Sequence, residues 1–139
     1  MRTCTSWDAP DADTFARVLR ICLPTSHAHV LSRRKTVADQ IVLIVRFYVN
    51  AASKPSLLEK LKEVFEHIRC EQNFVNASLQ EDIEHPEQLL IYELWQETRE
   101  SFMKNQMTKS YRSAFERAIL NLKVVRTPQW LKPLAAWKP

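Results

Sequence analysis

Residues that could do chemistry gather between Asn73 and Tyr111 of this 139-residue chain. Glu93 stands in an otherwise apolar or aromatic run, Leu89-Leu90-Ile91-Tyr92-Glu93-Leu94-Trp95. A carboxylate there is an edge-exposed group, the buried partner of an arginine such as Arg46, or a general base with a raised pKa, and the ion pair is the first choice. Asn76 falls mid-strand, where Asn is depleted, and must find hydrogen bonds in a pocket or at an interface. Trp95 closes the run and is either packing or the wall of a pocket. Tyr92 reads as structural, and Tyr111, on an apolar helix stripe, is open to either role. His67 suits a helix C-terminus and His85 a turn. His27 and His29 are two residues apart with no carboxylate or cysteine nearby, so they read as linker rather than metal ligands. Cys4, Cys22 and Cys70 are widely spaced with no Cys-x-x-Cys, and read as three reduced, buried thiols.

The elements that must position these groups follow from periodicity. Ile41–Val49 is a strand with Leu43, Val45, Phe47 and Val49 on one face and Val42, Ile44, Arg46 and Tyr48 on the other. Both faces are apolar enough to need cover. Ser53, in N-cap position, and Pro55 open a helix whose stripe is Leu57, Leu58, Leu61, Val64, Phe65 and Ile68. Phe74–Glu81 and Leu89–Trp95 are strands joined by a turn at Asp82–Glu87. A short helix covers Glu97–Lys104. Thr108 caps another, with Tyr111, Ala114, Phe115, Ala118, Ile119 and Leu122 as its stripe. Lys123–Arg126 is a short last strand broken by Thr127-Pro128, and Trp130, Leu131, Leu134 and Trp137 form a hydrophobic tail. The order β-α-β-β-α-β predicts an α+β, ferredoxin-like domain over residues 41–139 with a four-stranded antiparallel sheet and helices on one face. Residues 1–40 read as a partly disordered N-terminal extension, dispensable for folding. The uncovered sheet face predicts a homodimer, with the tail reaching the partner.

Composition excludes several function classes. There is no glycine, where average usage of ~7% would give about ten. A P-loop or a Gly-x-Gly-x-x-Gly dinucleotide turn therefore cannot be built, which removes the usual NAD, FAD and ATP sites. The net charge of +4 does not make a nucleic-acid footprint. Residues 41–116 carry 9 basic and 12 acidic side chains, and the basicity sits at the chain ends instead of along a folded groove. No apolar run approaches the ~20 residues that span a bilayer. With acidic residues interrupting the first stretch, no signal peptide is read, and a cytoplasmic protein is expected.

The turn containing His85-Pro86, the Tyr92-Glu93-Leu94-Trp95 sequence, and the charged helix with Thr108 beyond it resemble the antibiotic biosynthesis monooxygenase domain family, which includes small quinol monooxygenases. The resemblance runs from about Ile41 to Trp137. It implies a dimeric α+β barrel, with a pocket between sheet and short helices. It also implies a monooxygenase that oxidises a quinol or polycyclic phenol with dioxygen and needs neither metal nor flavin: the substrate is deprotonated to an electron-rich anion. Such a site needs donors near the oxyanion and a base poised near neutrality. Trp95 matches the family's tryptophan. Lys104 stands where a histidine often follows nine residues later, and Asn105, one beyond, is taken to replace it. Ser110 replaces a later histidine, and Tyr111 keeps the adjoining aromatic. The resemblance thus implies Asn105 and Trp95 as catalytic and Tyr111, Asn76 and Tyr92 as substrate contacts. The haem-degrading branch of the fold fits less well, because Ile41–Val49 has no Asn and Tyr111–Leu122 no His. A second function stays open: a non-catalytic dimeric domain of this fold that binds a small hydrophobic ligand or a partner chain. Loss of both histidines favours that reading, while Trp95 and Asn105 keep the oxygenase.

Overall fold

The computed structural model describes residues 39–139. The chain divides into two units, Met1–Ser32 and Arg33–Pro139, and the second carries every element of the fold described. Expectations for the N-terminal extension, including its helical stripe and its histidines, lie outside the described residues.

Among the described residues seven elements run in order: β1 Ile41–Tyr48, α1 Lys54–Ile68, β2 Phe74–Glu81, β3 Gln88–Trp95, α2 Arg99–Asn105, α3 Ser110–Asn121 and β4 Val125–Leu131. The sheet is antiparallel in the order β2-β3-β1-β4. Together with the helices this makes the four-stranded, ferredoxin-like α+β fold read from the sequence. Leu43, Val45 and Phe47 of β1 and Leu89, Ile91, Glu93 and Trp95 of β3 are buried. The residues between them, apart from Val42, are half-buried or exposed. This period-2 alternation places the core on one face, under the helices. Val42, read as needing a partner's cover, is already buried.

α1 buries Leu57, Leu61, Val64 and Ile68, one stripe at helical spacing. Each fully buried Leu or Ile is worth about 1.5–3 kcal/mol. Ser53 makes no side-chain cap; instead Asn50 Oδ1 accepts from Ser53 N at 2.8 Å. The Asp82–Glu87 turn is held by Asp82 Oδ1, which accepts from the backbone of Glu84 and His85, each at 2.9 Å. α2 is capped by Thr98, whose hydroxyl accepts from Ser101 N at 3.2 Å. Thr108 does not cap α3: Lys109 holds that position, and the Thr108 hydroxyl donates back to Lys104 O at 3.2 Å.

β4 runs through Pro128 to Leu131, so the predicted break does not occur. It is an edge strand, where a missing N–H can face away from the ladder. α3 ends in a paired closure: Lys123 N donates to Leu120 O at 3.2 Å and Val124 N to Ile119 O at 3.3 Å. That closure needs a left-handed residue. With no glycine in the chain, Lys123 takes it at φ 54°. Cys70 is disulfide-bonded, which corrects the reading of a reduced thiol there; spacing alone cannot reveal pairing. Cys4 and Cys22 lie outside the described residues.

Candidate functional site

The helix-facing side of β3 carries the polar centre of the core. Glu93 is 4% exposed, and its Oε2 accepts from Trp95 Nε1 at 2.8 Å. Residues i and i+2 of a strand share a face, so the local structure alone brings the two together. Burial pushes the Glu93 carboxyl above its ordinary range, against the pull of the Arg112 charge and the Trp95 hydrogen bond. Arg46 is not its partner. That arginine lies on the opposite face and donates to Gln129 Oε1 at 3.1 Å.

Trp95 has no exposed surface and sits edge-on to Phe74, with ring centroids 5.4 Å apart, and to Phe102, at 5.1 Å. Phe102 in turn meets Trp130 edge-on at 5.1 Å. Two arginines lie over this aromatic chain. The Arg112 guanidinium is 5.0 Å from the Phe102 ring centre and 5.8 Å from that of Trp95, and Arg99 lies 5.6 Å from that of Trp130. The Nε and Nη2 atoms of Arg112 are buried and have no hydrogen-bond partner.

Between the sheet and the three helices lies a cavity of about 210 Å³. Its floor is apolar, from Leu43, Val45, Phe47, Leu61, Ile68 and Ile91, all buried. Its wall includes Phe102, Arg112, Phe115 and Trp130, and its rim the exposed Arg99, Met103, Met107, Arg126 and Pro128. Arg126 is neutralised by Glu116, with bidentate contacts of 2.5 and 2.6 Å. No ion pair joins Arg99 or Arg112 among the described residues. The cavity is thus an apolar slot bordered by two guanidiniums outside any ion pair among the described residues, a combination suited to an aromatic anion. Among the described residues no group of three or more His, Cys, Asp or Glu is placed to hold a metal ion.

The five residues singled out from the sequence are not brought to one place. Trp95 stands one ring behind the cavity wall, with Phe102 between. Asn105, exposed at the end of α2, donates to Ser101 Oγ at 3.1 Å, and Ser101 donates to the buried Glu97 Oε2 at 2.7 Å. Tyr111 faces a separate groove of about 380 Å³ between α1 and α3. There it stacks on His67 at 5.0 Å and donates to Glu71 Oε1 at 2.7 Å. Burial and that hydrogen bond both hold its phenol above the ordinary range, against the pull of Arg112. A bulge between Phe74 and Asn76 sets the register of β2, pairing Asn76 with Leu94 and Ser78 with Tyr92. Asn76 and Tyr92 therefore share the open face of the sheet, opposite Trp95. The residue missed is Arg112. Its signal is present in the sequence: Phe115 and Ile119 lie beyond it at i+3 and i+7, so the inner stripe of α3 begins on an arginine.

No helix among the described residues is long and apolar enough to cross a membrane. No family model matches the sequence, and no curated protein does. Solved structures do match. SnoaB, a cofactor-independent oxygenase from Streptomyces nogalater, is 15% identical with a TM-score of 0.57, over 71% of this chain and 97% of that one. A candidate antibiotic biosynthesis monooxygenase from Deinococcus radiodurans is 17% identical with a TM-score of 0.63, over 71% and 97%. A Bacteroides thetaiotaomicron protein of unknown function, suggested to be an oxidoreductase, is 17% identical with a TM-score of 0.62, over 68% and 98%. At such identities the likeness is one of architecture, and this chain has the ferredoxin-like α+β fold found in antibiotic biosynthesis monooxygenase structures.

Proposed function

We propose that this protein is a cofactor-independent monooxygenase acting on a one- or two-ring phenol or quinol bound in the cavity under the helices. The observation that carries the reading is an apolar slot whose lining includes the Arg112 guanidinium, which no ion pair neutralises among the described residues. Such a wall stabilises the phenolate over the phenol, because a cation in a low-dielectric site attracts the charged form. The cavity, at about 210 Å³, falls below the ~300–1,000 Å³ of drug-sized pockets, which favours one or two rings over a larger polycycle.

The chemistry needs little more from the protein. The phenolate gives electrons to dioxygen and a ring-carbon–oxygen bond forms. The resulting hydroperoxide loses water to leave a quinone. One oxygen atom becomes the new carbonyl and the other leaves as water, with the substrate supplying both protons and all the electrons. Arg112 holds the anion and Arg99 adds positive charge at the rim. The phenolic proton leaves through the open rim, since no lining residue is an unpaired base. Trp95 acts as the rigid support behind Phe102 and Arg112. Asn105, at the end of the Glu97–Ser101–Asn105 chain, is the candidate for a second donor near the rim. Tyr111 braces α3 against the loop after α1 through Glu71.

The protein is further proposed to act as a homodimer through the open sheet face. Tyr48 is 41% exposed there, and Leu134 and Trp137 in the C-terminal tail are 87% and 90% exposed. Asn76 and Tyr92 belong to that interface in this reading.

The test is oxygen consumption by the purified protein with 1-naphthol and 1,4-dihydroxynaphthalene, with the quinone product followed optically. Turnover that falls ~10²–10³-fold in Arg112→Gln, the scale for losing one oxyanion donor, supports the reading. No uptake with any one- or two-ring phenol leaves the second reading, a non-catalytic ligand-binding domain. The absence of histidine from the cavity lining favours that alternative.

A further inference from the structure

We infer that Met103 and Met107 are a modification site at the mouth of this cavity, where a hydroperoxide converts both thioethers to sulfoxides and so weakens the binding of apolar ligands. This rests on the proposal that the cavity is a ligand site and does not need the oxygenase reaction.

The chain has three methionines, and the two beyond Met1 both border this one cavity. Met103 lies on α2 and Met107 one turn further along, just past the helix end. At that spacing they continue the side of α2 on which Arg99 also borders the cavity, while Phe102 and Gln106 turn inward and are buried. Met103 is 45% and Met107 39% exposed, so both side chains meet water while bordering the apolar slot. A thioether in that position does two things. It is unbranched and polarizable, so it adapts to an apolar ring entering the slot. It is also within reach of a dissolved peroxide, and methionine is readily oxidised to its sulfoxide. In that step the sulfur attacks one peroxide oxygen, the O–O bond breaks, and the sulfur gives up two electrons to become S=O. The proton of the transferred oxygen passes to the other, which leaves as water from hydrogen peroxide or as an alcohol from an organic hydroperoxide. No cysteine lines the cavity to compete for the oxidant. A sulfoxide is polar, with an acceptor oxygen where apolar surface stood. The exposed Arg99 guanidinium, one turn before Met103, is outside any ion pair among the described residues and offers that oxygen a donor. The mouth turns from apolar to polar, which disfavours an incoming ring because polar groups must be desolvated beneath it.

The test is treatment of the full chain with hydrogen peroxide, followed by peptide mass spectrometry and by calorimetric titration with 1-naphthol before and after. Met103 and Met107 should each gain one oxygen, at a rate comparable to that of the same residues in the urea-unfolded chain. Naphthol affinity should then fall about tenfold, the effect of losing one apolar side-chain contact. Methionine sulfoxide reductases A and B together should restore it, and their thiol reductant alone should not. In Met103→Leu/Met107→Leu, peroxide should leave the affinity where it stood, whatever its starting value. If that variant does not fold, as judged by its melting curve, reversal by the reductases carries the test. Methionines that stay unoxidised in the folded protein, a loss that the reductases do not reverse, or an equal loss in the double leucine variant would each overturn the inference. Naphthol binding that survives oxidation of both residues overturns it alone, whereas an untreated protein that binds no naphthol ends the cavity proposal and the inference together. Binding without oxygen uptake sinks the oxygenase and leaves the inference standing.

Discussion

Glu93→Gln should make the protein more stable at neutral pH and leave it little changed in acid. Glu93 lies in the core, its Oε2 tied to Trp95 Nε1 at 2.8 Å, and Gln can keep that bond through its carbonyl. Burial raises the folded-state carboxyl above its ordinary 4.5 despite the opposing pull of Arg112 and Trp95. The folded protein therefore holds this proton more tightly than the unfolded chain does. Below pH 4.5 both states are protonated and Gln and Glu are equivalent. As the pH climbs from there to the folded-state value, the wild type loses stability, and each pH unit in that window costs about 1.4 kcal/mol. The glutamine variant has no proton to lose, so its advantage should open across this window and then level off. For a domain of this size, 1 kcal/mol is worth roughly 4 °C in Tm. Urea denaturation of both proteins between pH 4 and 8 measures the difference, with equal slopes confirming that the unfolded state is unchanged. A variant that instead loses ground as the pH rises would refute the reasoning. It would mean that Glu93 is an ionised partner of Arg112 with a lowered pKa, and that Arg112 is already neutralised from within.

Four further outcomes are expected. Lys123→Gly should stabilise the fold by about 1 kcal/mol, since the left-handed residue closing α3 costs about 1–2 kcal/mol without glycine and glycine returns part of that as chain entropy; thermal denaturation reads it. Leu61→Ala, at 1% exposure and on the cavity floor, should cost about 2–5 kcal/mol in the same measurement. Tyr111→Phe should cost about 1 kcal/mol through the lost bond to Glu71, again read by thermal denaturation. Sedimentation at micromolar concentration should show a dimer that Tyr48→Glu weakens, and a monomeric wild type would end the sheet-face proposal.

The fold is legible in the sequence because its signals are local and redundant. The stripe of Leu57, Leu61, Val64 and Ile68 has helical period, the β3 run has strand length and an aspartate-anchored turn before it, and each would place its element alone. The boundaries that differ do so where the tertiary setting decides. Pro128 is tolerated because β4 is an edge strand, a fact about neighbours in space that the dipeptide Thr127-Pro128 does not contain.

The site is less legible for a geometric reason. On β3 a single residue of displacement moves a side chain through the sheet, so Tyr92 and Trp95 sit on opposite faces although both belong to the same short motif. On α3 a stripe drawn through Tyr111 starts one position from Arg112, a rotation of about 100° that turns it from the cavity to the outer groove. Motif matching rewards aromatic and amide residues wherever they stand, whereas the cavity is selected by what faces inward. Residue type gives Arg112 no weight, since arginine at the head of a helix is ordinarily solvated. Its two partnerless buried nitrogens emerge only once Phe102 and Trp95 are placed beneath it. The residue on which the proposed chemistry turns has ordinary neighbours in sequence, and in space it has two aromatic rings and an apolar slot.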